Sequence, residues 1–181
     1  MRREDLEHLL RAAGAITGSR RVLVIGSQAI LGQFPERVPA LAVRSMEAGL
    51  LPMDAPEMAD LLTGTLGELS PFHDSFGYYA DGVSLETAVL PDGWQDRLVR
   101  IENQNTNGVI GLCLEVHDLL VAKYVAGREK DLEFCAAVIG AGLVDAATLR
   151  RRVSETRLDE GQEARIRRRI EADLESHAGS A

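Results

Sequence analysis

With 181 residues, 45% of them hydrophobic, the chain is long enough for one core-bearing domain or one domain with an appendage, since domains run to roughly 100–200 residues. Only 4% of the residues are aromatic, so Leu, Val, Ile and Ala must supply most of that core. The net charge of −8 excludes a dedicated, chain-wide nucleic-acid binder, whose footprint is basic, while leaving room for a local basic groove.

Residues 4–14 predict the first helix, with Leu6, Leu9, Leu10 and Ala13 on one face and Glu4, Asp5 and Glu7 elsewhere. This charged, amphipathic opening does not have the pattern of a signal peptide. "RRVLVIGS" is a continuous apolar run, as in a strand covered on both faces, and "QAILGQF" starts a short helix. Residues 41–51 predict a second strand, on which the two-residue period puts Ser45, Glu47 and Gly49 on one face. "DAPE" at 54–57 marks a helix start with Asp54 as cap. Met58, Leu61, Leu62, Thr65, Leu66 and Leu69 then repeat at helical spacing.

"SFGYYADGVSLETAVLPDGW" predicts strand, turn and strand, with Asp81-Gly82 as the tight turn and Pro91-Asp92-Gly93 closing the hairpin region. "DRLVRIENQN" predicts a further strand followed by an Asn-rich loop. From Leu114 onward the pattern is helical: one long helix over 116–140 closed by Gly140 or Gly142, one at 146–154 capped by Asp145, and a last at 160–175 capped by Asp159. "SHAGSA" is a frayed tail. The fold class is therefore α/β (α+β), with an α/β domain at 1–112 built on a mixed sheet flanked by helices, and a helical domain at 113–181. No apolar run approaches the ~20 residues that span a bilayer. Cys113 and Cys135 lack metal-ligand spacing and sit in apolar surroundings, as small buried hydrophobes of a cytoplasmic protein do.

Three stretches carry chemistry. Gly26-Ser27 ends a strand and enters a helix, a geometry that offers backbone N–H groups and a hydroxyl to phosphate oxygens; the alternative is an ordinary strand-to-helix turn. Glu47 is an acid on the next strand, where carboxylates are disfavoured unless exposed or used, and Mg²⁺ arriving with phosphates takes carboxylate oxygens. On one continuous helix, Lys123, Gly127, Lys130 and Asp131 share a face, and Arg128 falls in the apolar stripe with Asp131 as its nearest partner. This face is either a basic ledge toward a cleft or a solvated surface with one ion pair. His73, Asp74 and His117 make no metal pattern. The arginine runs Arg150–Arg152 and Arg165, Arg167–Arg169 read as solvated helix faces, or as the basic patch of an acidic chain.

Together "GSQAIL", "SMEAGLLP", "DGVSLETAVLPDGW" with "DRLV", and "CLEVHDLLVAKYVAGREKDLEF" resemble the small bacterial nucleotidyltransferase-like proteins of the DUF6036 group, relatives of the AbiEii-type nucleotidyltransferase toxins. The resemblance covers roughly residues 4–150, and "KYVAGREKDLEF" is its most specific piece. It implies a polymerase-β-like nucleotidyltransferase core followed by a C-terminal helical bundle. It further implies that Gly26, Ser27 and Gln28 hold the nucleotide's phosphates, with Arg128 and Lys130 assisting Lys123 and Asp131 of the helix motif. The implied reaction moves a nucleotide from an NTP to a hydroxyl of RNA or protein, with Mg²⁺ or Mn²⁺ as cofactor. In the AbiEii-type toxins the acceptor can be the 3′ end of tRNA, so the resemblance implies tRNA or another RNA as acceptor and a cognate antitoxin as partner.

The same resemblance places two metal-binding acids at 47 and 49. Here Glu47 stands where the superfamily has Asp, and position 49 is Gly. A third carboxylate would come from Glu86 or Glu102. The loss at 49 leaves two expectations: a catalyst in which another acid substitutes, or a catalytically degenerate binding protein.

Overall fold

The computed structural model describes residues 1–41 and 44–178. Positions 42 and 43 of the expected second strand, and 179–181 of the expected tail, lie outside them. The first helix, α1 (Arg3–Thr17), buries Leu6, Leu9, Leu10 and Ala13, the face that its 3.6-residue period marks. Strand β1 (Arg21–Ile25) follows, then a short 3₁₀ turn at Ser27–Ala29, helix α2 (Ile30–Gln33) and strand β2 (Glu47–Pro52). Helices α3 (Ala59–Leu66) and α4 (Pro71–Phe76) lead to strand β3 (Tyr79–Gly82). Strands β4 (Val99–Ile101) and β5 (Ile110–Cys113) complete one sheet in the order β3-β2-β1-β5-β4.

That sheet is mixed. β1 runs antiparallel to β2 and parallel to β5, β2 runs parallel to β3, and β4 runs antiparallel to β5. Helices α5 (Val116–Ala126), α6 (Glu129–Gly140), α7 (Ala146–Ser154) and α8 (Glu160–Ala178) follow. Five strands and eight α-helices among the described residues make the chain α+β. One hydrophobic cluster runs from Leu6, Leu23 and Leu50 through Leu120 and Val138 to Ile170. Burial of this kind is the main favourable term in folding, about 25 cal/mol per Å² of apolar surface. No helix of the described residues is long and apolar enough to cross a membrane.

Several local expectations change. Asp81-Gly82 is not a turn: both residues belong to β3, which pairs with β2 rather than closing a hairpin. Glycine is needed at 82 because a Cβ there would collide with the Ala59 backbone, against which β3 packs. Asp54 does not cap a helix. Its carboxylate accepts the N–H groups of Arg20 and Arg21 and binds the Arg21 guanidinium at 2.6 Å, tying β1 to the end of β2. Residues 44–46 precede β2 rather than belonging to it, and the short apolar run at β5 was not anticipated. Leu69 ends up 83% exposed, past the end of α3.

The expected helix over 116–140 is two helices. Gly127 adopts the left-handed conformation (φ 64°), and its N–H caps the Lys123 carbonyl at 2.9 Å, so α5 ends there and α6 restarts at Glu129. Glu115 caps α5, while Asp118 in its first turn is fully buried between Arg97 (2.8 Å) and Arg152 (3.1 Å). Asp145 and Asp159 do cap, accepting from Thr148 and Gln162. In the arginine runs, Arg150, Arg151, Arg152, Arg167 and Arg169 all form ion pairs with carboxylates of their own helices or neighbours. Both cysteines are buried and free, and burial pushes the Cys113 thiol up to about 12 and Cys135 higher than usual as well.

Candidate functional site

The strand register determines what meets. β1 ends at Ile25, opposite Gly49 of the antiparallel β2, so Gly26-Ser27 and Glu47 emerge at the same end of the sheet. β5 runs parallel to β1 and pairs Cys113 with Val24, so α5 also departs from that end and carries Lys123. Beyond the strand ends lies a pocket of about 550 Å³, within the size range of small-molecule sites. It is lined by Gly26, Ser27, Glu47, Lys123, Arg128, Lys130 and Asp131 from the expected set, and also by Arg44, Gly49, Thr87 and Glu133.

Gly26 has φ 93°, a left-handed-side value that glycine adopts freely, and it turns the chain sharply out of β1. Ser27 follows at the pocket wall, and among the described residues its hydroxyl has no hydrogen-bond partner. Gln28 does not line the pocket. It is fully buried, and its amide donates to the Ser45 carbonyl at 2.9 Å. Gln28 therefore braces the segment that leads to Glu47. Ser45 adds to this brace, since its hydroxyl accepts the Glu47 N–H at 3.2 Å.

Opposite stands an ion triad. Lys123 Nζ donates to Asp131 Oδ1 at 2.8 Å, and Arg128 Nε donates to Asp131 Oδ2 at 2.6 Å. The side chains of Lys123 and Asp131 are 9% and 1% exposed, but that of Arg128 is 64% exposed, so Arg128 does not sit in the apolar stripe. The helix break at Gly127 brings Asp131, in the first turn of α6, back onto Lys123. Burial pushes the Asp131 carboxyl up, but hydrogen bonds from Arg128 and Lys123 outweigh it and hold it below the usual aspartate value. The Asp131 hydrogen bond raises Arg128 above its ordinary value despite partial burial, with Asp131 and Glu47 as nearby charges. Lys123 also stands 4.7 Å above the Phe134 ring.

Glu47 is half-buried and forms no ion pair among the described residues. Neither candidate for a third carboxylate joins it. Glu86 is exposed and does not line the pocket. Glu102 follows β4, three strands away from β2, and pairs with Arg100. A two-metal clamp about 4 Å across needs several carboxylates in common. Among the described residues no group of three or more His, Cys, Asp or Glu side chains could hold a metal ion, so the donor set does not fit a protein-held metal pair.

Position 49 explains part of this. A Cβ on Gly49 would lie 2.8 Å from the Ile25 carbonyl oxygen and 3.3 Å from Val83, so the backbone leaves no room for a carboxylate there. Gly49→Asp is expected to lower stability by about 1–3 kcal/mol, the usual cost of overpacking, without raising any transfer activity above that of the parent chain. Thermal melting and a transfer assay on the same preparation check this; a gain of activity at unchanged stability contradicts it.

Sequence reasoning missed Arg44 and Glu133. Arg44 is exposed and lies in the segment just before β2. A family model described as a nucleotidyltransferase of unknown function (DUF6036) matches residues 4–176. No curated protein and no solved structure gives a significant match.

Proposed function

Because the chain belongs to the DUF6036 family of nucleotidyltransferases of unknown function, we propose that this pocket binds a nucleoside triphosphate and transfers its nucleotidyl group to a hydroxyl. The observation that supports the reading is convergence: the Gly26-Ser27 turn, Glu47 and the Lys123–Asp131–Arg128 triad come from four separate elements and line one pocket. A triphosphate needs donors and cations around its oxygens, and transfer depends more on positioning and charge neutralisation than on covalent help. The Ser27 hydroxyl and neighbouring backbone hold phosphate oxygens. Lys123 and Arg128, oriented by Asp131, face the same phosphates. The acceptor oxygen attacks the α-phosphorus, the new P–O bond forms as the bond to the β-phosphate's bridging oxygen breaks, and pyrophosphate leaves. The hydroxyl proton passes to Glu47, the half-buried lining carboxylate free of any ion pair.

The finer features extend the same reading. The acceptor is a hydroxyl of RNA or protein, and the pocket belongs to a polymerase-β-like core within residues 1–112 that is completed by helices of the 113–181 portion. A toxin role alongside an antitoxin follows from the AbiEii-type resemblance. Incubating the full chain with each labelled NTP and total RNA or lysate tests the activity: label should appear on a macromolecule with release of pyrophosphate. No label with any of the four NTPs overturns transfer. A second reading, a nucleotide-binding protein without chemistry, is favoured by the crowding at Gly49, which leaves Glu47 without a companion acid on its strand. It predicts nucleotide binding with no transfer.

A further inference from the structure

Two cations of the pocket remain to be used. Arg44 and Lys130 both line it, both are exposed, and neither has a carboxylate partner among the described residues. This differs from most of the molecule, where arginines are tied to nearby acids, including Arg21, Arg97, Arg150 and Arg152. The pocket gathers four cations, Arg44, Lys123, Arg128 and Lys130, against three carboxylates, Glu47, Asp131 and Glu133. In a chain of net charge −8 this is a local reversal of sign. Asp131 is already committed to Lys123 and Arg128, and position 49 has no space for an acid.

We infer that the pocket neutralises bound phosphates with the Arg44 and Lys130 side chains in place of protein-held metal ions, so that a nucleoside triphosphate binds without a divalent cation. This rests on the nucleotide-site reading above. An unpaired cation at a pocket wall needs no ion pair broken before it meets phosphate, and arginine's planar fork suits two phosphate oxygens at once. Mobile salt screens such exposed charges, so the affinity should also fall with ionic strength.

Calorimetric titration of the full chain with each NTP, once in EDTA and once in Mg²⁺, tests the inference. Dissociation constants that agree within about threefold, and competition by inorganic tripolyphosphate, are expected. Arg44→Gln and Lys130→Gln should each weaken binding in EDTA by about tenfold, the scale of one hydrogen bond to a charged group, with the melting temperature unchanged. Binding that appears only with Mg²⁺ overturns the inference while leaving the nucleotide site standing. Unaltered affinity in both variants overturns it as well. Absence of binding in both buffers overturns the nucleotide-site reading itself.

Discussion

Asp131→Ala is expected to lower the unfolding free energy by about 3–5 kcal/mol, because removing one partner of a buried ion pair leaves the other charge uncompensated. The stranded charge is Lys123, whose ammonium is almost fully buried and donates to Asp131 at 2.8 Å. Arg128 suffers less, since its guanidinium reaches water. At roughly 2–4 °C per kcal/mol for a chain of this size, the melting temperature should drop by about 6–20 °C. Urea unfolding supplies the free energy directly. A loss below about 1 kcal/mol would contradict the burial of this pair. The double variant Lys123→Met/Asp131→Leu should lose less than the single one, since no unpaired charge remains.

The same pair has a signed pH dependence. Asp131 titrates below its ordinary value in the folded chain, because hydrogen bonds from Arg128 and Lys123 outweigh the opposing effect of burial. A carboxyl with a depressed folded value contributes fully above its unfolded pKa of about 3.9, and the contribution is lost as pH falls through the folded value. The stability gap between the parent chain and Asp131→Ala should therefore be constant above about pH 5 and narrow as the solution is acidified below about pH 4.

Glu47→Gln is the second large effect, and it should appear in rate rather than in stability. If Glu47 accepts the acceptor's proton, its amide analogue removes that step, and general-base contributions are typically about 10²–10⁴-fold. Nucleotide affinity should hold or improve, because a negative charge facing the phosphates has gone. Stability should stay within about 0.5 kcal/mol, the usual range where no ion pair, hydrogen-bond network or packing is lost. Glu47's carboxylate makes no ion pair, and its strand is anchored through its backbone. Parallel measurement of kcat, nucleotide affinity and melting temperature separates these. An unchanged kcat removes Glu47 from the chemistry.

How much of this was legible in the sequence depends on the range of each signal. The face of α1, the Asp145 and Asp159 caps and the bend at Gly26-Ser27 are written within a few neighbouring residues, because helix periodicity and capping are local physics. The pairing of Asp131 with Arg128 belongs here too, being one helical turn apart. The Lys123 contact was expected as a shared face of one helix, yet it arises because Gly127 breaks that helix and folds α6 back.

What tertiary structure alone decided involves partners far apart in the chain. Asp81-Gly82 carries a strong local turn signal, but pairing with β2 and close packing on Ala59 override it. Gln28 resembles a ligand-binding residue in sequence and proves to be a strut, because only the folded chain brings the Ser45 carbonyl to it. Asp118 can be buried on α5 only because Arg97 and Arg152 reach it from other elements. Gly49 reads as a missing acid, whereas the antiparallel approach of Ile25 makes it a position where no side chain fits. The sequence by itself determined the apolar face of α1, the Asp145 and Asp159 caps and the turn at Gly26-Ser27. Strand order and register, which depend on contacts across tens of residues, decided which residues share a pocket.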